Sequence, residues 1–267
     1  MTSPPNSLPS CVVLIPIYRA RLPQHEEAAL GVSLSHLKGW PLWFIGPQGL
    51  DWGWYREQAP ESAFLALEPN YFASARSYSQ LLLNPTFYAY LEGFDNHLIC
   101  QTDAVVLRPT LATFLQEDYH YWGAPWPNGW SIDLPVRIGI RTEIFKLNAF
   151  VGNGGLSLRD TQAVKELLAE FPDTLRDWVA VGNPEDLFIA LMGSLSKNFK
   201  IPNLRKAAAF AIELEPERML FLNQGELPFG AHQWDRLSPG GLTKHHDWPR
   251  AVSHTAKIEH IEIALQV

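Results

Sequence analysis

Residues 11–17 (CVVLIPI) constrain this chain more than any other stretch. Seven apolar residues in a row, several β-branched, leave no polar face, so the run reads as a strand buried on both sides. Residues 25–37 (HEEAALGVSLSHL) follow with apolar residues at helical spacing and acids in the first turn, where a helix dipole favours them. Residues 42–45 form a second short strand, closed by Gly46-Pro47. Strand, helix and strand in this order make a βαβ unit and therefore a parallel sheet. The expected fold class is α/β, with a mostly parallel central sheet flanked by helices.

The rest of the chain extends that pattern. Residues 64–67 read as a third strand, and 74–91 as helical material interrupted by Pro85. The next strand is 97–100, with Gln101-Thr102-Asp103 at its end. Residues 119–130 (YHYWGAPWPNGW) are dense in aromatics, Gly and Pro and read as a loop. Residues 152–159 start as a Gly-rich turn and finish as a strand, and 160–171 form an amphipathic helix capped by Asp160 or Thr161. Asn183 is expected to cap a further helix running to about Leu195, with Pro184 at its first position. Residues 1–10 (MTSPPNSLPS) read as a disordered lead-in, and 11–267 as a single domain.

Composition narrows the classes. With 267 residues, 46% of them hydrophobic, the chain can bury a substantial core. A net charge of −7 with no Lys/Arg block argues against a nucleic-acid polymer as partner. No signal-peptide pattern opens the sequence and no run approaches the roughly 18 apolar residues of a membrane span, so the expectation is a cytoplasmic protein without a transmembrane segment. Cys11 and Cys100 lie in apolar runs and read as buried free thiols.

Four motifs carry chemistry. Asp103 follows directly on a buried strand, at the edge where open parallel sheets bind ligands. Its carboxylate suits Mg²⁺ or Mn²⁺ accompanied by substrate phosphates; equally, it suits a turn cap or a partner for Arg. In Gly152-Asn153-Gly154-Gly155 the glycines let backbone approach a ligand, or simply build a tight turn. Pro184-Glu185-Asp186 places two carboxylates at a helix start, where they serve as an ionised base or as plain charge complementarity. Phe229-Gly230-Ala231-His232-Gln233-Trp234 offers an imidazole for a metal and an indole face.

The series QTDAVVLRP, YWGAPW, GNGGLSLR, PEDLFIA and FGAHQW, in that order, resembles a family of bacterial and eukaryotic domains of formerly unknown function, regarded as glycosyltransferase-like. That family is similar to nucleotide-sugar transferases of the A-type fold, a single Rossmann-like domain. The resemblance implies an inverting, metal-assisted glycosyltransferase acting on a nucleoside-diphosphate sugar and a hydroxyl acceptor such as a glycan. It implies Asp103 and His232 as ligands of Mn²⁺ or Mg²⁺, and Gly154 and Gly155 beside the donor sugar. Asp186, with Glu185 next to it, becomes the base. Pro16, Tyr18, Arg76 and Gln101 would line the nucleotide, and Trp122, Trp126, Asn153 and Trp234 the acceptor. Gln101 departs from the pattern, standing where the Asp-x-Asp motif has its first carboxylate, and an amide holds a cation more weakly.

Other classes remain beside this one. Gln101 favours a sugar- or nucleotide-binding module that has lost turnover. A metal-dependent phosphosugar hydrolase would want more clustered His and Asp ligands. An NAD(P) enzyme would want G-x-G-x-x-G after the first strand, where IPIYRARLP stands.

Overall fold

The computed structural model describes residues 8–138 and 140–234. The chain opens with β1 (Cys11–Pro16), α1 (Gln24–His36), β2 (Leu42–Pro47), α2 (Gly53–Gln58) and β3 (Ala63–Leu67). After a 3₁₀ turn come α3 (Ala75–Leu82) and a second 3₁₀ segment, Pro85–Leu91. Ser74 caps α3 in a reciprocal pair with Ser77, and Pro85 sets the break the sequence suggests. Next are β4 (Asn96–Cys100), β5 (Ala104–Val106), α4 (Leu111–Leu115), β6 (Tyr121–Trp122), β7 (Pro125–Ile138), β8 (Arg141–Val151) and β9 (Leu156–Asp160). The chain continues through α5 (Thr161–Glu170), α6 (Pro172–Val181), α7 (Glu185–Leu195), α8 (Leu204–Phe210), β10 (Ala211–Ile212), α9 (Pro216–Leu222) and β11 (Gly230–His232).

The central sheet has the order β3-β2-β1-β4-β9-β6. β3, β2, β1 and β4 are parallel, and β9 pairs antiparallel with β4. The uniformly apolar β1 follows from its place in the middle: Val12 and Leu14 enter one core layer, Cys11, Val13 and Ile15 the other. Both cysteines are free and buried. A three-stranded sheet, β10-β11-β5, sits beside the central one. Among the described residues no helix is long and apolar enough to cross a membrane.

Three expectations change. Residues 119–130 are not one loop: they hold β6 and the root of a long β7–β8 hairpin, with a register shift between Pro125 and Trp130. That irregularity absorbs the prolines and Gly129, which is why the stretch reads as a loop. Asn183 does not cap α7. Pro184 stands at the cap position without a side-chain bond, and the Asp186 carboxylate accepts from the Leu187 N–H instead. Of the expected lead-in, residues 1–7 lie outside the described residues, while Ser10 is tied to Asp95 through its N–H (2.8 Å) and its hydroxyl (2.9 Å). Asp160 caps α5 as expected, accepting from Ala163 N–H at 2.7 Å.

Candidate active site

A cleft of about 800 Å³ opens where β1 and β4 end, with Tyr18 on one side and Gln101-Thr102-Asp103 on the other. The edge is the one an open parallel sheet uses for ligands. Pairing across the small sheet brings the far ends of the sequence together. β5 runs antiparallel to β11 with His232 opposite Ala104, and Gln233 N–H donates to the Asp103 carbonyl at 2.9 Å. The turn before β9 closes the floor, where Gln101 N–H donates to the Gly155 carbonyl at 2.8 Å.

His232 stands between two carboxylates. Its Nδ1 is 3.0 Å from Glu213 Oε1. Its Nε2 lies 3.2 Å from Asp103 Oδ1, close enough for an ion pair but out of line for a hydrogen bond. Burial alone would lower the imidazole's pKa, but the Asp103 and Glu213 carboxylates outweigh it and hold it at about 9. Gly155 makes room for the ring: a Cβ there would lie 2.1 Å from Nε2. We expect Gly155→Ala to force the imidazole aside at a cost of about 1–3 kcal/mol, seen as a lower denaturant midpoint. An unchanged midpoint would mean the ring is not held there.

Asn153 has a left-handed backbone (φ 75°), which Asn tolerates better than most residues. Its Oδ1 accepts from Gly155 N–H at 2.9 Å. Its Nδ2 is buried without a hydrogen-bond partner among the described residues. Asp186, at the start of α7, accepts from Gly154 N–H at 3.0 Å and from Leu187 N–H at 2.8 Å. Burial, then the neighbouring Glu185 charge, push its pKa up from 3.8 to about 6 despite those donors.

Glu185 has a different setting. It is buried, receiving the Ser79 hydroxyl at 2.5 Å and the Arg159 guanidinium at 3.1 Å. Arg159 is wholly buried in β9, donates to Ser157 Oγ at 3.0 Å, and lies 5.6 Å from the Tyr121 ring centre. The pair fixes the entry of α7 against β9 and α3. Gly154 lets Glu185 in, since a Cβ there would meet its carboxylate at 2.4 Å.

The cleft thus collects Tyr18, Gln101, Asp103, Asn153, Gly154, Gly155, Glu185, Asp186 and His232. Five other expected residues lie elsewhere. Pro16 is buried in β1, paired with Ile45. Arg76 reaches out to the Ala180 carbonyl across Gly182. Trp122 is 1% exposed and packs edge-on against Phe114 and Tyr119. Trp126 lies against Gly152, and Trp234 is buried with Val105 and Ala231. These three indoles fill core between sheet and helices and present no face to the cleft. Sequence reading missed Glu213, Glu26 and the Arg159–Glu185 pair. A lone Arg in an otherwise buried strand (LSLRD) is the one signal that demanded a partner. Glu213, in AIELEPE, gives none.

Among the described residues no group of three or more His, Cys, Asp or Glu is arranged to hold a metal ion. The donor set still fits a cation shared with a ligand. His232 Nε2 faces the Asp103 carboxylate at 3.2 Å and would have to give up its proton to a bound cation, Glu213 orients the ring from behind, and hard divalent ions take their remaining oxygens from phosphates.

Residues 61–232 match the family described as Protein of unknown function (DUF5672). The chain belongs to that family. The match holds Asp103, Gly154, Gly155, Glu185, Asp186 and His232. No curated protein matches the sequence. Solved structures place the fold. The glycosyltransferase GlyE of Streptococcus pneumoniae TIGR4, in its apo form, is 11% identical with a TM-score of 0.51, over 92% of this chain and 60% of that one. The chain therefore spans 60% of GlyE's length. Mouse xyloside xylosyltransferase 1 is 11% identical with a TM-score of 0.52, over 84% of this chain and 98% of that one. The galactosyltransferase LgtC, solved with donor and acceptor sugar analogs, is 13% identical with a TM-score of 0.53, over 92% and 95%. The fold is α/β with a mostly parallel central sheet, of the glycosyltransferase A type.

Proposed function

We propose that the chain transfers a sugar from a nucleoside-diphosphate donor to a hydroxyl acceptor with inversion. One observation carries this: Asp103, His232, Gly154-Gly155 and Asp186 share one cleft on an A-type transferase fold. Asp103 and His232, the imidazole giving up its proton, would hold Mn²⁺ or Mg²⁺. Bound there, the cation neutralises charge on the leaving diphosphate. Asn153 Nδ2 offers a hydrogen bond to a sugar or phosphate oxygen. Asp186 takes the acceptor's proton. The freed oxygen bonds the anomeric carbon as its bond to the diphosphate breaks, and the nucleoside diphosphate departs with that electron pair.

Glu185 is not the base in this reading: its carboxylate is ion-paired with the Arg159 guanidinium and receives the Ser79 hydroxyl, whereas Asp186 meets only backbone N–H groups. Its role is to hold Asp186 in place.

A melting-temperature panel of nucleoside diphosphates, each with and without Mn²⁺, tests the nucleotide part. A nucleotide at 100 times its Kd stabilises the native state by about 2.7 kcal/mol, a rise of roughly 5–10 °C for a chain this size. The expected result is one preferred nucleotide, a rise that needs Mn²⁺, and its loss in Asp103→Ala. No rise with any nucleotide would sink the reading. Gln101 favours a second reading, a binding module without turnover. Nucleotide binding with neither donor hydrolysis nor transfer would establish it.

A further inference from the structure

A second cavity, of about 630 Å³, lies apart from the cleft. Its walls come from the root of β8, the C-terminal half of α7, the segment leading into α8, and α9. Its volume falls within the roughly 300–1,000 Å³ of small-molecule sites. Phe150, Ile201, Leu204 and Leu222 make its surface mostly apolar. Phe150 is 46% exposed, with its ring lying over Gly129.

Charge distinguishes this cavity from the cleft. The cleft holds five carboxylates: Glu26, Asp103, Glu185, Asp186 and Glu213. No Asp or Glu lines the second cavity, although the chain as a whole carries −7. Two guanidiniums do. Arg218 is shared with Glu215 at 3.1 Å. Arg205 is exposed, and its side chain makes no ion pair or hydrogen bond among the described residues. An apolar trough with a cation at its rim and no acid to answer it complements a molecule with a hydrocarbon body and an anionic head.

We infer that this cavity binds an anionic amphiphile, with its chain along Phe150, Ile201 and Leu222 and its head on Arg205 and Arg218. The inference does not depend on the transferase reading. The head could be a phosphate monoester or a carboxylate, which share the chemistry a guanidinium recognises.

Calorimetry on the full chain tests it, with decyl phosphate, decanoate and the uncharged decyl maltoside, all below their micelle concentrations. The expected result is saturable 1:1 binding of at least one anionic probe, at least tenfold tighter than the maltoside. Whichever anion binds better names the source of the head. Arg205→Ala is expected to weaken binding about tenfold or more, the loss of one charge-assisted contact. Ser194→Trp, at an exposed rim position on α7, is expected to abolish it by filling the trough. Both variants should keep the parent melting temperature in the absence of probe. Equal affinity for the maltoside, binding unaltered in both variants, or no saturable binding would each overturn the inference. Loss of nucleotide binding in Asp103→Ala with amphiphile binding intact separates this site from the cleft.

Discussion

Replacing Asp186 by Asn is expected to lower transfer turnover by about 10²–10⁴-fold, the usual contribution of a positioned general base. The amide keeps the shape but has one acceptor oxygen, so it keeps only one of the two N–H bonds that Gly154 and Leu187 make to separate carboxylate oxygens; the fold should survive and the donor KM should change little. The pH profile gives the sharper readout. Asp186 must be ionised to take a proton, and its pKa is raised to about 6 by burial and by Glu185. Turnover should therefore rise with pH, reach half its plateau near pH 6, and stay level above pH 7. The stability consequence runs the other way. The folded chain holds this proton more tightly than the unfolded chain, so Asp186 ionisation costs stability as pH rises from the ordinary carboxylate value through about 6. Asp186→Asn removes that cost but leaves one of the two backbone N–H groups without its acceptor, so the net change at pH 7 should be small. Full turnover in this variant would remove Asp186 from the chemistry.

How much of this was legible in the sequence depends on what each residue had to reveal. The parallel sheet was readable because β1 sits in its middle: a strand covered on both faces has nothing polar to show, and CVVLIPI says so without help from elsewhere. Asp103 was readable because it follows a strand of that kind. The β7–β8 hairpin was not. Its root carries Pro125, Pro127 and Gly129, and those residues break local pattern whether the chain turns or bulges. The three expected platform indoles failed for a related reason. An indole that stacks on a sugar and one that fills a core have the same local sequence, and only the neighbours Phe114 and Tyr119 reveal that Trp122 is buried. Glu213 lies 19 residues from its partner His232 on a different strand end, a contact that only sheet pairing creates. The sequence could place a strand end; it could not say which distant side chain would meet it there.

Arg159 is the residue whose loss should cost the most stability. Breaking a buried ion pair from one side leaves the other charge uncompensated, a cost of about 3–5 kcal/mol. Arg159→Met would leave the Glu185 carboxylate buried with the Ser79 hydroxyl as its remaining donor. For a chain of this size that corresponds to a fall in melting temperature of roughly 10 °C or more. Arg159 was not free of strain to begin with, since its Nη1 is buried without a partner among the described residues. For that reason the double variant Arg159→Met/Glu185→Met should recover most of the loss, because removing both charges also removes both desolvation penalties. The cycle separates the two roles open to Glu185. If the carboxylate only holds α7 in place, the double variant regains stability and keeps a measurable fraction of transfer, with its pH midpoint shifted down because Asp186 has lost a like-charged neighbour. If Glu185 itself moves the proton, stability returns and transfer does not. The geometry favours the first outcome: a carboxylate with one oxygen on a guanidinium and the other on a hydroxyl has no lone pair well placed for an acceptor, whereas Asp186 meets only backbone N–H groups and stands on the cleft side of the same turn.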